Sequence, residues 1–67
     1  MVDLEALKGI IENSGVKISV LAEKSGVSRM TFYKKLKGET EFKVSEIVGL
    51  CNALRLTNAE RDSIFFS

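Results

Sequence analysis

The segment ISVLAEKSGVSRMTFYKKLKG, residues 18–38, decides the fold predicted for this chain. It predicts two short helices joined by a tight turn, over Ser19–Ser25 and Ser28–Lys37. Ala22 is small enough to let the two helices approach closely, and Gly26 tolerates the positive φ that a tight turn requires. Ser28 can accept a hydrogen bond from a free backbone N–H at the start of the second helix.

The second of these helices has one apolar face and one cationic face. At 3.6 residues per turn, Phe32 and Leu36 fall on one side and can pack on a core. The opposite side carries three cations, a tyrosine and a methionine, namely Arg29, Met30, Tyr33, Lys34 and Lys37. This arrangement is typical of a helix-turn-helix, whose second helix enters the major groove of DNA.

The same residues resemble the helix-turn-helix of the phage lambda-type repressor and Cro family. Its turn has the pattern A-x-x-x-G-[VIML]-S, and the residues that match the family are Ala22, Gly26, Val27, Ser28 and Phe32. Residues 38–66 are similar to short phage-encoded regulators of Gram-positive bacteria, so the resemblance covers nearly the whole chain. Two residues depart from the family, because Ile18 replaces a frequent Gln and Lys35 replaces a frequent apolar residue.

The resemblance implies an all-α, five-helix, lambda-repressor-like domain, and the rest of the chain fits three further helices. They are predicted over Asp3–Asn13, over Lys43–Arg55, and from a Thr57–Glu60 capping box to Ile64–Phe66. The predicted core is Leu4, Leu7, Ile11, Leu21, Ala22, Val27, Phe32, Leu36, Ile47, Val48, Cys51 and Leu54. Because the chain has no histidine and no second cysteine, Cys51 is interpreted as a core residue rather than a metal ligand.

Length and charge limit the possible classes of protein. The 67 residues predict one domain over 1–67, with a small core. Net charge is only +1, but residues 24–43 hold six cations and two acids, so positive charge is concentrated around the second helix of the motif. We find no membrane span and no signal peptide in the sequence, and a single cysteine makes the cytoplasm the expected compartment.

Double-stranded DNA is therefore the predicted partner. Arg29 and Lys34 are assigned to base edges or phosphates, Met30 to a thymine methyl, and Tyr33 to a base or the backbone. The remaining predicted contacts hold phosphates and fix the register, and they are Ser28, Thr31, Lys37 and Lys43.

The sequence also predicts a homodimer. Three consecutive apolar residues, Ile64, Phe65 and Phe66, end the fifth helix, and one small core could cover one or two of them but not easily all three. Since one recognition helix contacts only a few base pairs, we expect these residues to form a weak two-fold contact through the fifth helix.

One other class of function remains as an alternative. A helix-turn-helix can serve as a protein-interaction module or an antitoxin, here through the surface of the fifth helix. An enzyme is not predicted, because the sequence contains no histidine, no Gly-rich phosphate loop and no catalytic constellation. We accordingly predict no cofactor, no metal ion and no small-molecule substrate.

Overall fold

The computed structural model describes residues 2–66, which form five α-helices and no strand. The helices are α1 (Leu4–Ser14), α2 (Ile18–Ser25), α3 (Arg29–Leu36), α4 (Val44–Leu54) and α5 (Asn58–Phe65). The prediction of an all-α fold with a helix-turn-helix formed by the second and third helices is confirmed. No helix in residues 2–66 is both long enough and apolar enough to cross a bilayer.

The turn between α2 and α3 has the geometry that its sequence predicts. Gly26 adopts a left-handed conformation with φ of 80° and ψ of 24°. Its N–H donates to the carbonyls of Ala22 and Glu23, so the last carbonyls of α2 are satisfied. Ser28 begins α3, and its hydroxyl accepts a hydrogen bond from the Thr31 N–H at 3.1 Å. The turn therefore fixes the point at which α3 begins.

The capping box predicted for α5 is also present. The Thr57 hydroxyl accepts from the Glu60 N–H at 3.1 Å, and the Glu60 carboxylate accepts from the Thr57 N–H at 2.8 Å. These two bonds satisfy backbone donors that the first turn of a helix otherwise leaves free.

All five helices contribute to one apolar core. Its buried residues are Leu7, Ile11, Leu21, Ala22, Phe32, Leu36, Ile47, Leu50, Cys51, Ile64 and Phe65. Burial raises the pKa of the Cys51 thiol, which agrees with its interpretation as a core residue. Three predicted core residues, Leu4, Val27 and Leu54, are only half-buried.

The prediction that Val48 belongs to the core is wrong. Its side chain is 53% exposed, whereas Leu50, which the sequence places at the edge of the apolar stripe, is fully buried. The buried face of α4 consists of Ile47, Leu50 and Cys51, and the position of Val48 is about 100° away from Ile47 around the helix.

Of the three apolar residues predicted for the contact between copies, two are covered by the core. Ile64 is 3% exposed and Phe65 4%, so both belong to the core, whereas Phe66 is 57% exposed. The Asp3 N–H donates to the Ile64 carbonyl at 2.7 Å and thereby joins the start of α1 to the end of α5. The ring of Phe65 packs edge-on against Phe42, with 5.8 Å between the ring centroids.

The backbones of α2 and α4 approach each other closely at Gly49. A Cβ atom added to Gly49 would overlap the Lys24 carbonyl oxygen and would lie 2.9 Å from the carbonyl carbon. Gly49 thus allows the carboxyl end of α2 to lie directly on α4, and α4 supports the helix-turn-helix from behind.

Candidate nucleic-acid interface

The outward face of α3 brings most of the predicted contact residues together. Phe32 and Leu36 are buried, which leaves the other side of the helix in solvent. Five of the eight predicted residues line one shallow surface together with Glu39, and they are Arg29, Met30, Tyr33, Lys34 and Lys37. Since α3 and its C-cap carry all five, the spacing of their side chains is set by the helix itself.

The cations on this surface are available to a ligand. None of Arg29, Lys34 and Lys37 forms a salt bridge with an acidic side chain of the described residues. Met30 is 70% exposed and Tyr33 is 45% exposed, although both side chains have large apolar parts. A surface on which three cations outnumber the single acid Glu39 and surround exposed apolar groups is suited to a polyanion that also presents apolar edges, such as the thymine methyl groups in a DNA groove.

The other three predicted contact residues lie outside that surface. Ser28 donates its hydroxyl hydrogen to Thr31 Oγ1 at 2.9 Å, so both hydroxyls lie at the amino end of α3. Lys43 is exposed and occupies the N-cap position of α4, after the loop that follows α3. These residues flank the α3 surface rather than form part of it.

A buried ion pair lies behind α3, and the sequence analysis did not predict it. Lys35 Nζ lies 3.0 Å from Glu46 Oε1, and both side chains are almost fully buried. Lys35 Nζ also donates to the Glu41 carbonyl at 2.8 Å. The pair gives the cation at position 35 an ionic partner inside the protein.

The ionisation of Glu46 makes part of the stability dependent on pH. Burial alone would raise the pKa of this carboxyl, but the hydrogen bond from the Lys43 N–H and the proximity of Lys35 outweigh it, so the pKa lies below its ordinary value. A lowered folded-state pKa stabilises the protein above the unfolded pKa, and this contribution disappears as pH falls through the folded pKa.

We therefore expect the free energy of unfolding to decrease as the solution is acidified through the pKa of Glu46, in part because this carboxyl becomes protonated. Urea denaturation of the parent chain and of Glu46→Gln between pH 7 and pH 3 measures this contribution. The difference between the two chains should be constant above about pH 5 and should shrink under more acidic conditions. A difference that stays constant down to pH 3 would contradict the assignment.

The five helices of residues 2–66, the tight turn at Gly26 and the cationic α3 surface are features of a DNA-binding helix-turn-helix domain. A family model described as a helix-turn-helix domain matches residues 5–64. The chain belongs to this helix-turn-helix domain family. Searches among curated proteins and among solved structures gave no significant match.

Proposed function

We propose that this protein is a sequence-specific transcriptional regulator of the phage repressor or Cro type, with residues 1–67 acting as one DNA-binding domain in the cytoplasm. In this proposal α3 lies in the major groove, with Arg29, Met30, Tyr33 and Lys34 directed at base edges. Ser28, Thr31, Lys37 and Lys43 bind phosphates on either side of the groove.

The main support for this proposal is the combination of cationic and exposed apolar side chains on α3. The helix buries Phe32 and Leu36, yet leaves Met30 70% exposed beside cations that have no acidic partner among the described residues. A purely structural helix gains nothing from an exposed methionine in that position. Contact with a thymine methyl group gives both the methionine and its cationic neighbours a role.

Size favours binding as a pair of copies. The backbone of one copy extends 27 Å along its longest principal axis, whereas successive major grooves on one side of DNA are about 34 Å apart. A single copy therefore contacts one groove, and a few base pairs do not distinguish one site from the rest of a genome. We propose a weak homodimer that is completed on DNA and uses the end of α5.

In this proposal Phe66 makes the contact between copies, because Ile64 and Phe65 are buried in the core. Phe66 and the 71%-exposed Val44 line one shallow groove with Leu4 and Phe42. Stable interfaces usually bury about 1,200 Å² or more, so a patch of this size supports only weak association in free solution.

Selection of bound sequences from random duplex DNA tests the proposal directly. Enrichment of a palindrome with half-sites about one helical turn apart is the expected result, because two copies would place their α3 helices in successive grooves. Recovery of unenriched sequences would contradict sequence-specific binding.

Alanine substitutions on α3 should separate residues that bind bases from residues that bind phosphates. Arg29→Ala and Lys34→Ala are each expected to weaken binding to the selected site by about 1–3 kcal/mol, with little effect on random DNA. Lys37→Ala should weaken binding to both DNAs alike and should reduce the salt slope by about one unit. If Arg29→Ala lowers both affinities equally, Arg29 is a phosphate contact, and Met30 and Tyr33 become the residues that read the bases.

A second candidate function has one observation in its favour. Val44, Val48 and Phe66 are large apolar residues that lie more than half exposed away from the α3 surface. They suit a protein-interaction module or an antitoxin that covers its partner through this side of the molecule. Salt dependence separates the candidates, because only a DNA-binding protein loses affinity for duplex DNA steeply as salt rises.

A further inference from the structure

The loop between α3 and α4 is organised around one buried ammonium group. Lys35 Nζ donates to the Glu41 carbonyl at 2.8 Å and lies 5.9 Å from the centroid of the Phe42 ring. Its ionic partner Glu46 accepts a hydrogen bond from the Lys43 N–H at 2.8 Å. Three consecutive loop residues, 41 to 43, are thus attached to one side chain of α3 and its partner on α4.

Stability alone is a poor explanation for this arrangement. A buried ion pair loses the hydration of both charges, and well-packed apolar replacements are often equally stable. Apolar side chains would fill the same space between Phe42 and the core, but they form no directional bonds. The ammonium group instead has three N–H donors, and two of them are directed at fixed acceptors on different segments.

The segment that the pair holds is the one that carries Lys43. Lys35 lies between the exposed Lys34 and the buried Leu36 in the last turn of α3. The ion pair therefore connects the turn that presents Lys34 to the N-cap of α4, which presents Lys43. Because a phosphate contact requires its donor to lie at a fixed distance from the recognition helix, a loop that moves would lose this contact.

We propose that Lys35 and Glu46 are positioning residues for DNA binding, which hold the loop against α3 so that Lys43 meets the phosphate backbone in a fixed register. Neither side chain touches DNA. This inference rests on the proposed function, and it adds a residue pair that determines the register of the backbone contact.

The test uses the double variant Lys35→Met with Glu46→Gln, which removes the ion pair without changing net charge. The introduced glutamine keeps an acceptor for the Lys43 N–H, and the introduced methionine keeps nearly the volume of the lysine stem. We expect the variant to retain its helical circular dichroism but to bind the selected DNA site about tenfold more weakly. The salt slope should fall by about one unit, the contribution of one phosphate contact.

Lys43→Ala determines whether the pair acts through Lys43. In the parent chain this substitution should lower the salt slope by about one unit, and in the double variant it should lower it no further. Hydrogen exchange of the Lys43 amide, measured without DNA, should be faster in the double variant, because the glutamine oxygen is a weaker acceptor than the carboxylate and the loop is no longer attached to α3. If the double variant unfolds, Glu46→Asp replaces it in all three measurements, with effects of the same sign, because the shorter side chain keeps a charge opposite Lys35 but draws the carboxylate away from the Lys43 N–H.

A matched control introduces methionine and glutamine in the same way at an exposed ion pair. Lys8 Nζ lies 3.8 Å from Glu5 Oε1 on α1, so Lys8→Met with Glu5→Gln also leaves net charge unchanged. This control should bind DNA with the parent's affinity and salt slope.

Three results would overturn the inference. The first is a folded double variant with the parent's affinity and salt slope. The second is a full effect of Lys43→Ala in the double variant, and the third is unchanged exchange of the Lys43 amide. Failure of the proposed function gives a different result, since the parent chain itself would then show no salt-dependent binding to duplex DNA, and the positioning role would fall with it.

Discussion

Gly49→Ala is expected to lower the free energy of unfolding by about 3 kcal/mol or more and to leave much of the protein unfolded at 37 °C. Overpacking costs typically about 1–3 kcal/mol where side chains can adjust, but here the new methyl group would meet the backbone carbonyl of Lys24. A carbonyl at the end of a helix cannot move by changing a rotamer. A chain of 67 residues has roughly 3–10 kcal/mol of stability in total.

Neither α2 nor α4 can shift to relieve this overlap at low cost. Separating α2 from α4 would expose Leu21 and Leu50, both of which have no solvent-exposed surface. Since α2 also supports α3, the variant should lose DNA binding together with its helical structure. Urea denaturation followed by circular dichroism measures the effect.

Gly9→Ala is the matched control. Gly9 lies inside α1, and an added Cβ would meet no atom within 4 Å. Alanine is favoured over glycine inside a helix, so this variant should be more stable than the parent by about 0.5–1 kcal/mol. If Gly49→Ala instead denatured at the same urea concentration as the parent, the close approach between α2 and α4 would be wrong.

The parts of the fold that depend on short-range patterns could be predicted from the sequence. Gly26 and Ser28 specify their own turn and cap, because each requirement is met within four residues of the chain. The two faces of α3 also follow from its own spacing, with Phe32 inward and Arg29 outward. For the same reason the sequence predicted all five helices to within a few residues at each end.

The side of α4 that faces the core could not be predicted in the same way. This helix has apolar residues on two sides, Val44 and Val48 on one and Leu50 and Cys51 on another. Periodicity identifies an apolar helix, but the choice of buried side depends on where α2 lies. Gly49 is the informative residue, since a glycine inside a helix can permit a close backbone contact, and here that contact is with the end of α2, whereas Gly9 inside α1 has no such contact.

The Lys35–Glu46 pair could not be predicted because it depends on the path of a loop. The two residues are eleven positions apart, and nothing in their spacing brings them together without the turn at Gly38, whose φ is 83°. A partial indication was present in the sequence, because Lys35 lies one position before Leu36 on the side of α3 that packs inward. A lysine in such a position requires a partner, and Glu46 in the first turn of α4 is available.

Phe65→Ala and Phe66→Ala are expected to differ sharply in stability, although the two residues are adjacent. Phe65 is 4% exposed and packs edge-on against Phe42, which in turn packs against Phe32 at 6.0 Å between ring centroids. Removal of a buried phenylalanine ring costs about 3–5 kcal/mol, so Phe65→Ala should unfold much of the protein. Thermal denaturation should show a lower melting temperature and a broader transition.

Phe66→Ala should retain the parent's melting temperature to within a few degrees, because more than half of the Phe66 side chain lies in solvent. Its effect is expected on assembly. In titrations of a palindromic site, the parent should bind cooperatively in protein concentration, and Phe66→Ala should bind each half-site independently with little loss of affinity for one half-site. Val48→Ala removes a similarly exposed apolar side chain from α4 and serves as the control. If Phe66→Ala keeps the cooperativity and Val48→Ala loses it, the contact between copies lies on α4 and the proposed α5 contact is wrong.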